Sequence, residues 1–183
     1  MELEAFLDSV AESAEHKERL KLLTDDAGSS RRTLLLLTCI DLRYPSIIHA
    51  KMEPRFHKLY DHVSLAGAGL SPVIDFGADR KPHWQQTFLE HVGVSLVLHD
   101  IARVLVMDHR DCGAYRKFGL LGDGDTGTAK EASVHREQAG RLRDLLKAEY
   151  PTLGFNYLLL PTVPHEYKGT MEKLPALEVE VLV

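Results

Sequence analysis

The sequence predicts an α/β protein: a mainly parallel β-sheet of four to five strands flanked by helices, with an N-terminal helical arm. Three observations predict it. Short apolar runs bounded by turn signals recur, as TLLLLT at Thr33 to Thr38, RVLVM at Arg103 to Met107 and FNYLLL at Phe155 to Leu160. Such runs suit strands covered on both faces, which is the condition of a parallel sheet. Helical spacing lies between them, clearest at Trp84, Phe88, Val92, Leu96 and His99. Strand and helix then alternate along the chain, the order that builds β-α-β crossovers.

Taken in order, Leu3, Phe6, Leu7, Val10, Ala14, Leu20 and Leu23 fall at mostly helical spacing among charged residues, so residues 1–25 read as one amphipathic helix. DDAGSSRR breaks that pattern, and TLLLLT follows as the first strand. A second strand covers His62 to Ala66 and ends in the run AGAG. Pro82 stands just ahead of the Trp84 to His99 pattern, where a helix can start. After RVLVM, the glycine-rich segment Gly113 to Gly127 reads as a mobile loop. A helix near Ala129 to Tyr150 carries Leu142, Leu145 and Leu146 and is stopped by Pro151. FNYLLL gives a fourth strand, and the alternating LEVEVLV at the C-terminus a fifth, at an edge. One domain over 1–183 accounts for this: a helix at 1–25, a core at 32–163 and a tail with an edge strand at 164–183.

Composition excludes more than it assigns. Hydrophobic residues make up 44% and charged residues 27%, as in an ordinary globular chain. The formal charge of -5, with both signs interspersed, offers no basic stripe, so nucleic acid is not an expected partner. No run is long and apolar enough for a membrane span. The acidic, amphipathic N-terminus does not read as a secretory signal, and the expected location is the cytoplasm. Two cysteines in such a chain are buried, catalytic or metal-bound rather than paired in a framework.

Both cysteines follow strands, Cys39 after TLLLLT and Cys112 after RVLVM, and ligands in α/β folds sit beyond the carboxyl ends of strands. Cys39 opens C-x-D-x-R, which includes Asp41 and Arg43, and Cys112 closes His109-Arg110-Asp111-Cys112. Each motif alone is equally compatible with packed cysteines, a structural ion pair and a loop-capping histidine. Together, Cys39, His109 and Cys112 supply three sulfur and nitrogen ligands, the number a catalytic zinc site uses when it leaves a fourth position open.

C-x-D-x-R followed by a strand ending in H-x-x-C-G resembles the β-carbonic anhydrases, over approximately Arg32 to Val163. The resemblance implies one zinc ion on Cys39, His109 and Cys112, with Asp41 and Arg43 as a dyad beside it. It also implies a closed state in which Asp41 becomes the fourth ligand, and a homodimer or higher homo-oligomer with the N-terminal helix on a neighbour. The pattern departs from the family in several places. Ser64-Leu65-Ala66-Gly67 stands where the family shows Arg-Asn-Ala-Gly, Asp108 precedes the histidine in place of glycine, and Ala114 replaces a second glycine. Phe76 to His83 reads as an insertion, and the sequence after Pro161 matches least.

The expected activity is reversible hydration of CO2 to bicarbonate and a proton by zinc-bound hydroxide. Two thiolates make zinc a weaker acid, so Asp41 is expected to accept a hydrogen bond from the hydroxide while Arg43 keeps Asp41 ionised. Hydrolysis of COS or CS2 at the same site is a second reading, because the residues around it depart from the family. A zinc-stabilised binding or scaffold protein without turnover is a third. Gly67 and Gly113 are candidate pocket residues, although glycines that follow a strand, as Gly67 and Gly69 do, more often just make a turn. His49, His57, His62 and His135 have the right chemistry for proton shuttling but read better as surface or packed residues. GDGDTGT lacks full calcium-loop spacing and reads as solvated loop.

Overall fold

β1 (Leu34–Cys39) is buried along its whole length at the centre of the molecule. The structure is a computed structural model that describes residues 1–25, 32–57, 59–75, 81–163 and 177–183. β1 pairs in parallel with β2 (Tyr60–Leu65) on one side and with β3 (Arg103–His109) on the other. β3 pairs in parallel with β4 (Gly154–Leu160), and β5 (Glu180–Val181) adds antiparallel to β4, giving the order β2-β1-β3-β4-β5. The sheet is thus mainly parallel and five-stranded, with the C-terminal strand at an edge.

Alternation along the strands divides the core in two. Leu34 and Leu36 of β1, Leu105 and Met107 of β3, and Leu158 and Leu160 of β4 face one layer, formed by α1 (Leu3–Ala11) and α3 (Pro45–Phe56). Leu35 and Leu37, Val104 and Val106, and Tyr157 and Leu159 face the other, formed by α4 (Pro82–His99) and α6 (Ala129–Glu149). A strand buried on both faces has no polar side, which is why TLLLLT and RVLVM show no alternation. Among the described residues no helix is long and apolar enough to cross a membrane.

Three segments differ from the expectation. The N-terminal pattern is two helices, α1 and α2 (Ala14–Asp25). Ser13 divides them: its Oγ donates to the Val10 carbonyl at 2.6 Å and accepts the His16 N–H at 3.2 Å, capping the second helix. The apolar face of α1, Leu3, Phe6, Leu7 and Val10, is buried on this chain's own core, and the Arg55 to Asp8 pair at 2.6 Å ties it to α3. α3 itself has no counterpart in the reading, because Pro54 and a mixed surface blur its periodicity. Gly113 to Gly127 is no simple loop, since Gly113–Lys117 forms a short helix, α5, with Tyr115 buried. The insertion at Phe76 to His83 and the tail from residue 164 lie partly outside the described residues, as does most of DDAGSSRR.

Consecutive strands run from β1 to one side and then back to the other, so the crossovers leave β1 and β3 toward opposite layers. A crevice opens where they diverge, at the carboxyl ends of the strands. Cys39 ends β1, and His109 ends β3.

Candidate metal centre

Cys39, His109 and Cys112 come together at this crevice with one potential ligand atom each, all within 4.8 Å of one another, and all three are buried. The sulfurs of Cys39 and Cys112 are 3.9 Å apart. That is far beyond a disulfide bond. It agrees with the separation of about 3.8 Å that two sulfurs have in a tetrahedron with zinc–sulfur bonds near 2.3 Å.

His109 carries the strongest sign of a missing partner. Its Nδ1 lies 2.8 Å from the Arg110 carbonyl, an acceptor only, so Nδ1 holds a proton and in the neutral ring the lone pair is on Nε2. Nε2 is buried without a hydrogen-bond partner. The ring is held by stacking on Tyr44, centroid to centroid 4.2 Å, and Tyr44 is anchored by donating to the Pro161 carbonyl and accepting from Val163 N–H. An orphaned imidazole nitrogen beside two sulfurs fits a metal that takes nitrogen and sulfur. The hydrogen bond from the Cys112 thiol lowers the Cys39 thiol well below its usual value, prevailing over burial. The Cys112 thiol is correspondingly raised, because the second charge would sit beside the first.

Asp41 reaches the same place from the loop after β1, with Oδ2 3.8 Å from His109 Nε2. Arg43 holds it with two prongs, Nε to Oδ1 at 3.0 Å and Nη2 to Oδ2 at 2.8 Å, and the Arg43 backbone N–H adds a third bond at 3.0 Å. Burial alone would raise the Asp41 carboxyl, yet these hydrogen bonds outweigh it and hold it at about 2. Asp41 is therefore an ionised acceptor at neutral pH.

Gly67 and Gly113 both line the pocket that opens onto this group. Gly67 adopts φ +75, which its missing side chain permits, and its N–H donates to Cys39 Sγ at 3.3 Å. It makes the turn and touches the sulfur at once. The pocket, about 320 Å³, is walled by Ile40, Ala66, Trp84, Ala114 and Phe118, with Lys117 as its cation. Gly69 faces elsewhere, giving room to the ring of Tyr157.

That tyrosine belongs to an arrangement the sequence did not disclose. Asp108 is fully buried, and its Oδ2 accepts from Tyr157 Oη at 2.7 Å, Tyr115 Oη at 2.8 Å and His135 Nδ1 at 3.1 Å, while Oδ1 accepts the His109 N–H at 2.9 Å. A buried carboxylate so surrounded stays charged, and the lowered Asp108 pKa reflects His135 and these donors prevailing over burial. His135 is thus packed within the protein. His62 bonds Thr38 at 2.7 Å, His49 bonds Tyr60 at 3.3 Å, and His57 ends α3 in the left-handed region; none of the four lines the pocket. Among the described residues, Cys39, His109 and Cys112 are the one group of three or more such side chains that could hold a metal.

Fold and site together define a class: an α/β protein with a Cys-His-Cys group, able to hold a metal ion, at the carboxyl ends of a parallel sheet. By sequence the chain belongs to one family with two uncharacterised rickettsial proteins. It is 31% identical to that of Rickettsia bellii over 139 residues, spanning 75% of this chain and 77% of the relative. It is 30% identical to that of Rickettsia conorii over 138 residues, spanning 74% and 68%. No profile of a known protein family matches it. Among solved structures the chain is similar to a β-carbonic anhydrase of Aspergillus fumigatus, with a TM-score of 0.44 and 15% identity over 79% of this chain and 78% of the other. It is also similar to one of two tetrameric β-carbonic anhydrases of Sordaria macrospora, with a TM-score of 0.39 and 13% identity over 79% and 83%.

Proposed function

We propose that this chain is a zinc enzyme of the β-carbonic anhydrase type that interconverts CO2 and bicarbonate. The observation that carries the reading is the buried, unpartnered Nε2 of His109 beside two sulfurs, with the ionised Asp41 carboxylate 3.8 Å away. Cys39, His109 and Cys112 would hold one zinc ion. Zinc bound there would supply a water acidified enough to act as a nucleophile near neutral pH. Asp41, an acceptor only, would take the hydrogen bond of that nucleophile and turn its lone pair toward the substrate carbon. Arg43 keeps Asp41 ionised and aimed, and releasing that pair is what would let Asp41 move onto the metal. Gly67 and Gly113 leave the floor of the pocket open to a small linear molecule.

The walls favour a second reading, hydrolysis of COS or CS2. Ile40, Ala66, Trp84, Ala114 and Phe118 are apolar, so these walls suit an uncharged, polarisable substrate. A scaffold role without turnover does not account for Asp41 and Arg43. Ile40 and Leu42 stand 64% and 87% exposed in the loop after β1, a surface that a second copy in a homo-oligomer would cover. Reduced cysteine ligands suit the cytoplasm.

Zinc quantification on the purified protein, followed by stopped-flow assays with CO2, COS and CS2, tests the reading. About one zinc per chain with CO2 turnover is the expected result. Metal without turnover on any of the three would leave a scaffold, and a chain that takes up no zinc would end the metal reading.

A further inference from the structure

Every donor of the Arg43 guanidinium is engaged. Nε and one N–H of Nη2 go to Asp41; the other N–H of Nη2 goes to the Asp111 carbonyl at 3.2 Å. Nη1 divides between Asp111 Oδ2 at 3.2 Å and the Val163 carbonyl at 3.1 Å. A guanidinium has five N–H groups, so none is left over. The side chain is 4% exposed, and its contacts come from three separate stretches of chain.

Asp111 is built into this position. It sits between His109 and Cys112 with φ +60, a left-handed conformation that aspartate tolerates better than most side chains and that turns the chain between the two ligands. Its Oδ1 accepts from Arg116 of α5 and from Thr126 Oγ1 at 3.2 Å, and its N–H donates to Glu131 Oε1 of α6 at 2.6 Å. One residue therefore joins Arg43 to α5, whose Lys117 lines the pocket beside Phe118, and to the first turn of α6.

We infer that Asp111 is a positioning residue that immobilises Arg43 and thereby keeps Asp41 aimed at the metal position. This rests on the zinc reading above. Asp41 touches the centre, Arg43 touches Asp41, and Asp111 acts through both. Its removal leaves Asp41 paired, but to a guanidinium with one anchor fewer, so the loss falls on orientation and not on metal affinity.

The test is a double-mutant cycle in the metal-loaded protein. Asp111→Asn keeps the size and the left-handed conformation while removing the charge. It is expected to lower kcat about tenfold with KM and zinc content unchanged, consistent with the sensitivity of rate to small misplacements. Thr126→Val, on the exposed loop, is expected to act in the same direction and less. In an Asp41→Asn background neither should lower kcat further. Cobalt-substituted protein gives a readout independent of turnover: Asp111→Asn should shift the visible absorption bands, and the shift should vanish when Asp41 is already Asn. Additive losses, or cobalt bands identical to the parent's, would overturn the inference. So would loss of zinc or of thermal stability in parallel with rate. If the parent binds metal but turns over none of the three substrates, the functional reading falls while the cobalt cycle still decides the role of Asp111. A chain that binds neither zinc nor cobalt overturns both.

Discussion

Asp41 and Arg43 illustrate how much depends on donor geometry rather than charge. Asp41→Asn preserves shape but places an N–H₂ where a pure acceptor stood, so on the proposed mechanism the nucleophile would lose its orientation. We expect zinc content to stay at the parent level while kcat falls roughly 100-fold, read by metal analysis and stopped flow on one preparation. Arg43→Lys preserves the charge, but an ammonium has three donors on a point and cannot reproduce a five-donor fork. Two of the five acceptors around Arg43 would be stranded, and kcat should fall at least roughly tenfold without loss of metal. A Lys variant with parental kcat would show that charge alone suffices.

At the scale of elements, α2 is fastened beside a histidine that cannot easily charge. His16 is 4% exposed, neither ring nitrogen has a partner, and the ring meets Phe56 edge-on at 5.3 Å. Burial lowers its pKa, Arg103 lowers it further, and Glu12 and Glu15 oppose them. The unfolded chain then takes up a proton below about pH 6.5 while the folded chain resists it. Stability is therefore fully present above that value and declines as pH falls through it. His16→Leu should flatten the fall of Tm between pH 7 and 5, as thermal denaturation across that range would show. Gly69 is the matching case for the segment after β2, because a Cβ there would lie 2.8 Å from the Tyr157 phenolic oxygen and closer still to its ring. Gly69→Ala should cost about 1–3 kcal/mol, measured by chemical denaturation, and an unchanged midpoint would mean that Tyr157 has room to retreat.

For the whole molecule, metal and stability should rise and fall together, because the proposed ligands come from β1, the end of β3 and the turn after it. With free zinc 1,000-fold above its dissociation constant, binding adds about 4 kcal/mol, or roughly 10 °C of Tm for a chain of this size. Chelation should remove that increment from the parent and leave Cys112→Ser unmoved. What the sequence disclosed divides along the same line. Strands β1, β3 and β4 were legible because burial on both faces leaves an unmistakable apolar run, and the Cys39, His109 and Cys112 cluster because these residue types are rare and stand at or just after strand ends. α3 was hidden by Pro54, although a parallel β1–β2 pair demands a crossover and could have revealed it. Asp108, Tyr115, Tyr157 and His135 were illegible as a group, since nothing in their spacing announces that four distant side chains share one buried charge. Asp111 lay in view inside H-R-D-C but registered only as a spacer.

The paired strands at the centre have a further property. Leu34 to Leu37 present the same side chain to both layers, so β1 shifted by one residue against β3 would bury nearly the same apolar surface. Its ends would not survive the shift. A one-residue slip reverses every side chain of the shifted strand, carrying Cys39 to the opposite face from Cys112 and His109. Among near-identical leucines, the polar residues at the strand ends are the index mark by which the sheet finds its alignment. The chemistry of the centre and the correctness of the fold are, at that point, written in the same few residues.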